Sequence, residues 1–229
     1  MTVSLGAILL GLVLGARHAF EPDHLAAVSV LSAESPGPKR GALLGLFWGV
    51  GHSLALLIVG LALAGLSAQM PQEVADLLEL GVALMLIVLG VRGFVKAVRR
   101  GQEGPTQLHH HGHSAHVHSG PAEHVHVGSL SLATRPLVVG MMHGLAGSGA
   151  MTAMLVAELP TLAGRVAFMV LFGFGSILGM AAISGLAGWP LARLGRRPLT
   201  AKLVFAGAGA TSAVFGAFWG WPLVTRLFA

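Results

Sequence analysis

The sequence predicts an all-α, polytopic membrane protein whose six transmembrane helices form two inverted repeats of three helices each. Three observations predict this fold class: an apolar composition, six long apolar stretches, and motifs that recur in both halves of the chain. Of the 229 residues, 54% are hydrophobic and only 10% are charged, whereas soluble domains contain about 25% charged residues. Because so few charges cannot cover a water-exposed surface, we expect one membrane domain over residues 1–229.

Three apolar stretches in residues 1–100 are each long enough to cross a membrane, which takes about 20 mostly apolar residues. They cover residues 3–31, 41–66 and 74–98. The first is interrupted by Pro22, which removes a helical hydrogen bond and whose ring clashes with the preceding turn. Residues 1–16 contain no Lys or Arg, so this stretch lacks the basic start of a secretory signal peptide and we expect it to be retained.

The segment 101–134 differs from its surroundings because it is polar, rich in Gly and Ser, and contains eight histidines. We interpret it as a mobile loop between the two halves of the chain. Three further apolar stretches follow in residues 135–229, at 136–159, 166–187 and 202–227. The loop histidines are His109, His110, His111, His113, His116, His118, His124 and His126.

Motifs of the first half recur in the second half at nearly constant spacing, which indicates an internal repeat. The matched pairs are Gly15 with Gly140, His18 with His143, Gly49 with Gly173, Gly51 with Gly175, Gly81 with Gly207, and Gly90 with Gly216. One match would mean little in a chain with 33 glycines, but these matches lie in register across three helices. An odd number of spans per repeat inverts the second repeat, as in transporters whose substrate site lies near mid-membrane.

Positive charges are concentrated on one side of the predicted membrane domain. That side contains eleven Lys and Arg residues, and the other contains Arg165 and Arg226. The positive-inside rule places both termini outside, and the histidine loop in the cytoplasm, of a multi-pass protein of the plasma (inner) membrane. The basic residues lie in short loops, so the net charge of +5 points to lipid rather than nucleic acid as a partner. The outer side also contains acidic residues that would concentrate cations: Glu73, Asp76, Glu79 and Glu158.

Ionisable residues inside the spans mark the candidate site, because such groups are costly in a bilayer and usually functional. Four histidines lie there: His18, His24, His52 and His143. On a straight helix, at 100° per residue, His18, Asp23 and His24 would point in three directions and could not bind one ion. A helix broken at Pro22 removes this restriction and leaves free backbone carbonyls, which suit a cation.

The other two histidine motifs add one imidazole each and make the site asymmetric. His52 lies beside a stripe of small residues, which lets helices approach closely. The second half keeps His143 but has serine and glycine where the first motif has its aspartate and second histidine. Arg17 and Glu21, four residues apart, are expected to neutralise each other. Residues that support the ligands are Arg17, Glu21, Pro22, Gly51, Ser53 and Ser148.

Imidazoles with one carboxylate suit Ni²⁺, Co²⁺, Zn²⁺ or Cu²⁺ and argue against Ca²⁺ and Mg²⁺, which prefer oxygen ligands. The chain has no cysteine, which excludes thiolate metal sites and electron carriers that use paired thiols. An intramembrane metal-dependent hydrolase is an alternative, because His and Asp can hold Zn²⁺ with an open position for water. Glu21 is the only candidate general base in the cluster. No Walker-type nucleotide motif is present.

The spacing His18-x4-Asp23-His24 resembles the HX4DH signature of the nickel/cobalt transporter (NiCoT/NicO) family. Gly51-His52-Ser53 is similar to that family's second histidine motif, and the stretch from Met142 to Ser148 resembles its six-helix, UreH-like branch. The chain lacks the later motifs of the eight-helix permeases. The resemblance implies that Ni²⁺ or Co²⁺ is a transported substrate rather than a cofactor, recognised by the histidines and aspartate of the first motif.

The resemblance also bears on direction and partners. Uptake is the preferred direction, from the UreH-like motif and the acidic outer side, and efflux is the alternative, because some relatives with a histidine-rich cytoplasmic loop are exporters. Cytoplasmic metallochaperones or nickel-enzyme maturation proteins are candidate partners. The loop histidines are internal and interrupted, unlike a purification tag, and are typical of a weak metal buffer.

Overall fold

The computed structural model describes residues 5–34, 36–66, 70–99, 109–111, 114–116, 125–127, 130–132, 134–145, 161–194 and 198–228. Within these ranges the chain forms seven helices and four short strands. The helices are α1 (Leu5–His18), α2 (Pro22–Glu34), α3 (Pro38–Leu66), α4 (Gln72–Arg99), α5 (Thr134–Leu145), α6 (Leu162–Leu194) and α7 (Pro198–Phe228). The strands are β1 (His109–His111), β2 (Ser114–His116), β3 (Val125–Val127) and β4 (Leu130–Leu132).

Four of these helices, α3, α4, α6 and α7, are long and apolar enough to cross a membrane. Helix α1 is apolar but has only 14 residues, or about 21 Å, so it covers part of a hydrocarbon core of about 30 Å. Large apolar side chains point away from the protein along the long helices, as Leu186 (75% exposed) and Phe218 (79% exposed) do. The chain is therefore a helical membrane protein whose outer surface is apolar.

The predicted interruption of the first span is present between α1 and α2. Helix α1 ends in short hydrogen bonds, from the Phe20 amide to the Arg17 carbonyl (2.9 Å) and from the Glu21 amide to the His18 carbonyl (3.0 Å). Helix α2 then begins at Pro22, where the missing N–H of proline is not needed, because the first amides of a helix have no partner inside it. Pro22 thus starts a second helix.

Glycine contacts give the relative directions of the packed helices. Between α3 and α6, Gly41 lies against Ser184 and Gly49 against Ile177; between α4 and α7, Gly90 lies against Ala213 and Gly220 against Ala83. Where the end of α1 packs on α6, Gly11 lies against Leu171 and Gly179 against Ala19. Between α3 and α5, Gly51 lies against Leu137 and Gly144 against Ala55. Residue numbers run in opposite directions in the first two pairs of helices, which are antiparallel. They run in the same direction in the last two pairs, which are parallel.

These directions bring the start of α3, the start of α5 and the end of α6 to one end of the bundle, here called the basic end, and the ion pairs of Glu34 bring the end of α4 to it. Glu34, which ends α2, has its side chain only 8% exposed there. Its carboxylate pairs with Arg92 and Lys96 of α4, both at 3.4 Å, and with Arg135 of α5 at 2.5 Å. One carboxylate therefore joins three helices at the basic end.

At the opposite end of the bundle, here called the far end, the acidic residues are not all exposed. Asp76 is buried, accepts a hydrogen bond from Gln72 at 2.9 Å, and pairs with Arg226 at 3.4 Å. Glu73 is exposed and Glu79 is half-buried. Glu158 lies outside the described residues. Asp76, at least, is already neutralised and contributes less to attracting cations than the sequence suggested.

The segment interpreted as a loop contains two short antiparallel hairpins in its described part. In the first, His109 lies opposite His116, and in the second, Val125 lies opposite Leu132. The overall polarity of the segment predicts a loop and does not predict these strands. Residues 125–127 and 130–132 alternate apolar and polar types, which is the pattern of a strand.

Candidate metal centre

Four buried histidines from four helices meet in the interior of the bundle. His18 ends α1, His24 lies in the first turn of α2, His52 lies within α3, and His143 lies near the end of α5. None of them is more than 4% exposed. The break between α1 and α2 places the first two close together, and the close packing of α3 with α5 brings the other two to them. Buried imidazoles require polar partners or a bound ion, because burying an unpaired polar group is costly.

His18, His24 and His52 form the first group of potential ligands. Their ring centroids are 4.5 Å apart for His18 and His24, 4.9 Å for His18 and His52, and 5.2 Å for His24 and His52. The Nε2 atoms of His18 and His52 are 3.0 Å apart. Two nitrogens that each bind one ion at about 2.0–2.1 Å would themselves lie about 3 Å apart. This spacing is that of a hydrogen bond between the two rings, and it also equals the spacing of two neighbouring ligands of one ion.

Asp23, His24 and His143 form the second group, which shares His24 with the first. Asp23 Oδ1 lies 2.9 Å from His24 Nδ1, and Asp23 Oδ2 lies 3.7 Å from His143 Nε2. The rings of His24 and His143 have centroids 4.9 Å apart. In each group the ligand atoms lie within 4.8 Å of one another. All five sequence-predicted ligands are thus brought together.

Some nitrogen atoms of this cluster have no hydrogen-bond partner among the described residues, including His24 Nε2 and His52 Nδ1. Buried polar atoms nearly always have a partner, and leaving one unpaired costs about 1–3 kcal/mol. A neutral imidazole binds a transition metal through the lone pair of its unprotonated nitrogen. The donor set therefore fits an ion held by imidazoles and one carboxylate better than it fits a self-contained polar core.

Glu21 pairs with His18, so the predicted pairing of Glu21 with Arg17 is wrong. Glu21 Oε1 lies 2.8 Å from His18 Nδ1, whereas the Arg17 side chain is exposed. Pairing of side chains four residues apart requires a continuous helix, but α1 ends at His18, so Arg17 and Glu21 do not share one helix face. A carboxylate on Nδ1 fixes the ring orientation of a metal-binding histidine, and here it leaves Nε2 directed at His52.

The remaining predicted residues support the helices or lie outside the described part. A side chain on Gly51 would clash with the Leu137 carbonyl, so Gly51 permits the close contact of α3 with α5. Ser53 donates to the Gly173 carbonyl at 3.0 Å and joins α3 to α6. Of the loop histidines, those in strands are His109, His110, His111, His116 and His126. Outside the described residues lie Ser148, His113, His118 and His124.

Two aromatic residues that contact the site were missed. Trp48 stacks on His24, with centroids 5.4 Å apart and planes at 27°, and meets His143 edge-on at 5.5 Å. Phe172 lies 5.3 Å from His18. Aromatic residues in an apolar helix carry no signal of their own. The one available sign was that Trp48 precedes His52 by four residues, which puts both on the same helix face.

Comparisons with known proteins agree with this chemistry. The family model described as NicO, high-affinity nickel-transport protein, matches residues 4–189, a range that contains all five candidate ligands. The urease accessory protein UreH of Bacillus sp. (strain TB-90) is 32% identical over 213 residues, which cover 93% of this chain and 89% of that protein. No solved structure matches the chain significantly.

Proposed function

Because the chain belongs to the NicO family of high-affinity nickel-transport proteins, we propose that it moves Ni²⁺, Co²⁺ or both across the membrane by alternating access. The family is one of transporters, so the ion is a substrate and the chain is not an enzyme. The hydrolase alternative also loses its only candidate base, since Glu21 is paired with His18 at 2.8 Å.

The observation that carries this proposal is the meeting of four buried imidazoles and Asp23 inside an apolar bundle. Imidazole nitrogens replace the hydration shell of an ion such as Ni²⁺, and the carboxylate offsets part of its charge. The ligands we propose are His18, Asp23, His24, His52 and His143. With no thiolate in the chain, ligand softness alone leaves Ni²⁺ and Co²⁺ equally suitable.

We also propose that the membrane domain consists of two inverted three-span repeats, residues 1–100 and 135–229, joined by the segment 101–134. Equivalent contacts support this arrangement. Gly15 lies against the Phe172 carbonyl, and its counterpart Gly140 lies against the Trp48 carbonyl. Gly51 lies against Leu137, and its counterpart Gly175 lies against Leu12. Gly90 lies against Gly209, and its counterpart Gly216 lies against Ala83. Residues that correspond in sequence thus make corresponding contacts. The antiparallel pairs α3 with α6 and α4 with α7 are the equivalent helices of an inverted repeat.

The basic end is the proposed cytoplasmic side of the plasma (inner) membrane. Positive residues favour the cytoplasmic ends of membrane helices, and helix directions bring Lys39, Arg92, Arg135 and Arg193 to this end. This orientation places both termini outside and the histidine-rich segment inside the cell. There the loop histidines would act as a weak buffer for the ion, and metallochaperones or maturation proteins of nickel enzymes would receive it.

Uptake is the direction we propose. The similar protein UreH is named as a urease accessory protein, and a transporter that supplies a metal to an enzyme assembled in the cytoplasm must carry it inward. Efflux is the alternative, and the histidine-rich segment is compatible with either direction. The ion's charge and its competition with protons for imidazole make a proton gradient the candidate driving force.

Radiotracer flux in proteoliposomes of known orientation tests the proposal. Wild-type protein is expected to accumulate ⁶³Ni²⁺ or ⁵⁷Co²⁺ from the far-end side to the basic-end side, faster with a pH gradient. His24→Ala should abolish this flux, because His24 belongs to both groups of ligands. Ser212→Ala is the matched control, since Ser212 is equally buried but bonds to the Leu86 carbonyl, away from the histidines. Wild-type flux in His24→Ala protein would refute the site.

A further inference from the structure

The histidine cluster lies between two apolar clusters on opposite sides. The first, here called the basic-side plug, is the part of the main apolar core formed by Leu44, Trp48, Val139 and Met180. The second, here called the far-side plug, is the part of a smaller apolar cluster formed by Phe168, Phe172, Leu14 and Leu56. Each plug draws its residues from α3 and α6 together with α5 or α1, the same helices that hold the histidines.

Helix directions assign each plug to its side. Trp48 precedes His52 by one turn on α3, which starts at the basic end, so Trp48 lies between His52 and that end. Phe172 precedes Ser176 by one turn on α6, which finishes at the basic end, so Phe172 lies towards the far end. Because α3 and α6 are antiparallel and Ser53 contacts Gly173, His52 lies at a depth between those of Phe172 and Ser176.

The two plugs correspond to each other residue by residue. Adding 124 to Leu44, Trp48 and Leu56 gives Phe168, Phe172 and Met180, and adding 125 to Leu14 gives Val139. These are the spacings that relate the glycine and histidine motifs of the two halves. Each plug thus contains two residues from each half of the chain, and the repeat relates the residues of one plug to those of the other.

Each plug touches the candidate ligands through its aromatic ring. Trp48 covers His24 and His143 at 5.4 and 5.5 Å, and Phe172 covers His18 at 5.3 Å. Trp48 is fully buried and Phe172 is 6% exposed. Among the described residues, these two rings therefore lie directly on the imidazoles that would hold the ion.

We propose that Trp48 and Phe172 are the two gating residues of the ion site, Trp48 closing it towards the basic end and Phe172 towards the far end. This inference rests on the proposed transport function, since it assigns the two barriers that alternating access requires. Each ring packs on a different histidine, so one barrier can open while the other remains closed.

Cysteine accessibility tests the two gates, and the chain contains no native cysteine. Ser176→Cys is the reporter, because Ser176 is fully buried and lies between Phe172 and Met180 on α6. A membrane-impermeant thiol reagent is applied to either face of vesicles whose orientation is fixed by labelling Lys39→Cys, an exposed position at the basic end. Adding Phe172→Ala should raise the labelling rate about tenfold from the far side only, because the ring that seals this side is lost.

Adding Trp48→Ala to the same reporter should raise labelling by a similar factor from the basic side only. Leu44→Ala, a smaller change in the same plug, should act in the same direction if Trp48→Ala does not give monodisperse protein. Phe205→Ala removes an aromatic ring of equal burial from α7, outside both plugs, and should change labelling from neither face. The Ser212→Cys reporter should stay protected in every background.

Equal labelling from both faces, labelling from the wrong face, or no change in either aromatic variant would overturn the gate assignment. The transport proposal is tested separately by adding Ni²⁺ to the Ser176→Cys protein with both aromatic residues intact. Protection by Ni²⁺ is expected if the ion binds among the histidines. Side-specific labelling without Ni²⁺ protection would support the gates and contradict the metal site, so the two failures are distinguishable.

Discussion

The imidazoles of His18, His24, His52 and His143 can bind a metal ion only when they are unprotonated, and this makes affinity depend on pH. An ordinary imidazole has a pKa of about 6.5, whereas an ordinary aspartate has a pKa of about 3.9. Metal binding releases any protons that the free site holds. Lowering the pH therefore adds protons that compete with the ion, so Ni²⁺ affinity should fall as the pH is lowered.

A Ni²⁺ titration of detergent-purified protein from pH 5 to pH 8 measures this dependence. His52→Ala should weaken binding at every pH, because one of the proposed ligands is removed. Asp23→Asn should weaken binding at every pH while keeping the slope, because a carboxylate does not titrate in this range. An affinity that rose as the pH was lowered would contradict imidazole ligands.

At the residue scale, the sequence predicted which ionisable residues cluster better than it predicted their surroundings. Buried histidines in apolar helices are costly, so His52 and His143 were conspicuous without any structure. The partner of Glu21 was mispredicted, since its geometry depends on where α1 ends. Trp48 and Phe172 were not predicted, because each contacts a histidine of another helix and no local sequence pattern indicates such a contact.

At the scale of helices, the site depends on backbones that approach closely at glycines. A Cβ on Gly15 would run into the Phe172 carbonyl of α6, so α1 must shift away in Gly15→Ala protein and carry His18 from His52. We expect a loss of about 1–3 kcal/mol in stability, typical of overpacking, together with weaker Ni²⁺ binding. Thermal unfolding in detergent and Ni²⁺ titration measure the two effects.

Gly207→Ala is the matched control for this change, because a Cβ at Gly207 on α7 would meet no atom within 4 Å. Alanine is the better helix former by about 1 kcal/mol, so this variant should be as stable as wild type or more so, with unchanged Ni²⁺ affinity. Equal losses in both variants would mean that the close contact of α1 with α6 is unimportant.

Element positions could be predicted where composition or proline marks them. The long helices α3, α4, α6 and α7 follow from apolar length, and the break before α2 follows from Pro22. The network of Glu34 with Arg92, Lys96 and Arg135 could not be predicted, because it joins three helices that are distant in sequence. The hairpins between α4 and α5 depend on short alternations that composition alone hides.

At the scale of the whole molecule, the histidine-rich segment and the membrane site are separate, because the five proposed ligands all lie on helices of the bundle. Deleting residues 109–132 should change the amount or rate of Ni²⁺ accumulated but leave saturable, selective transport intact. Flux in proteoliposomes measures this. Mg²⁺, which prefers oxygen ligands to imidazoles, serves as the competing ion that tests selectivity. Loss of all selective transport in the deletion protein would place the recognition step in the segment.

The central claim is that the clustered imidazoles hold the transported ion, and X-ray absorption at the nickel edge tests it most directly. The loop-deleted protein carrying one equivalent of Ni²⁺ leaves only the four bundle histidines as imidazole ligands, since all others lie in the deleted segment. We predict nitrogen and oxygen ligands with the outer-shell scattering of several imidazoles, weakened in His52→Ala protein. A spectrum without imidazole scattering, or one that His52→Ala leaves unchanged, would contradict the account.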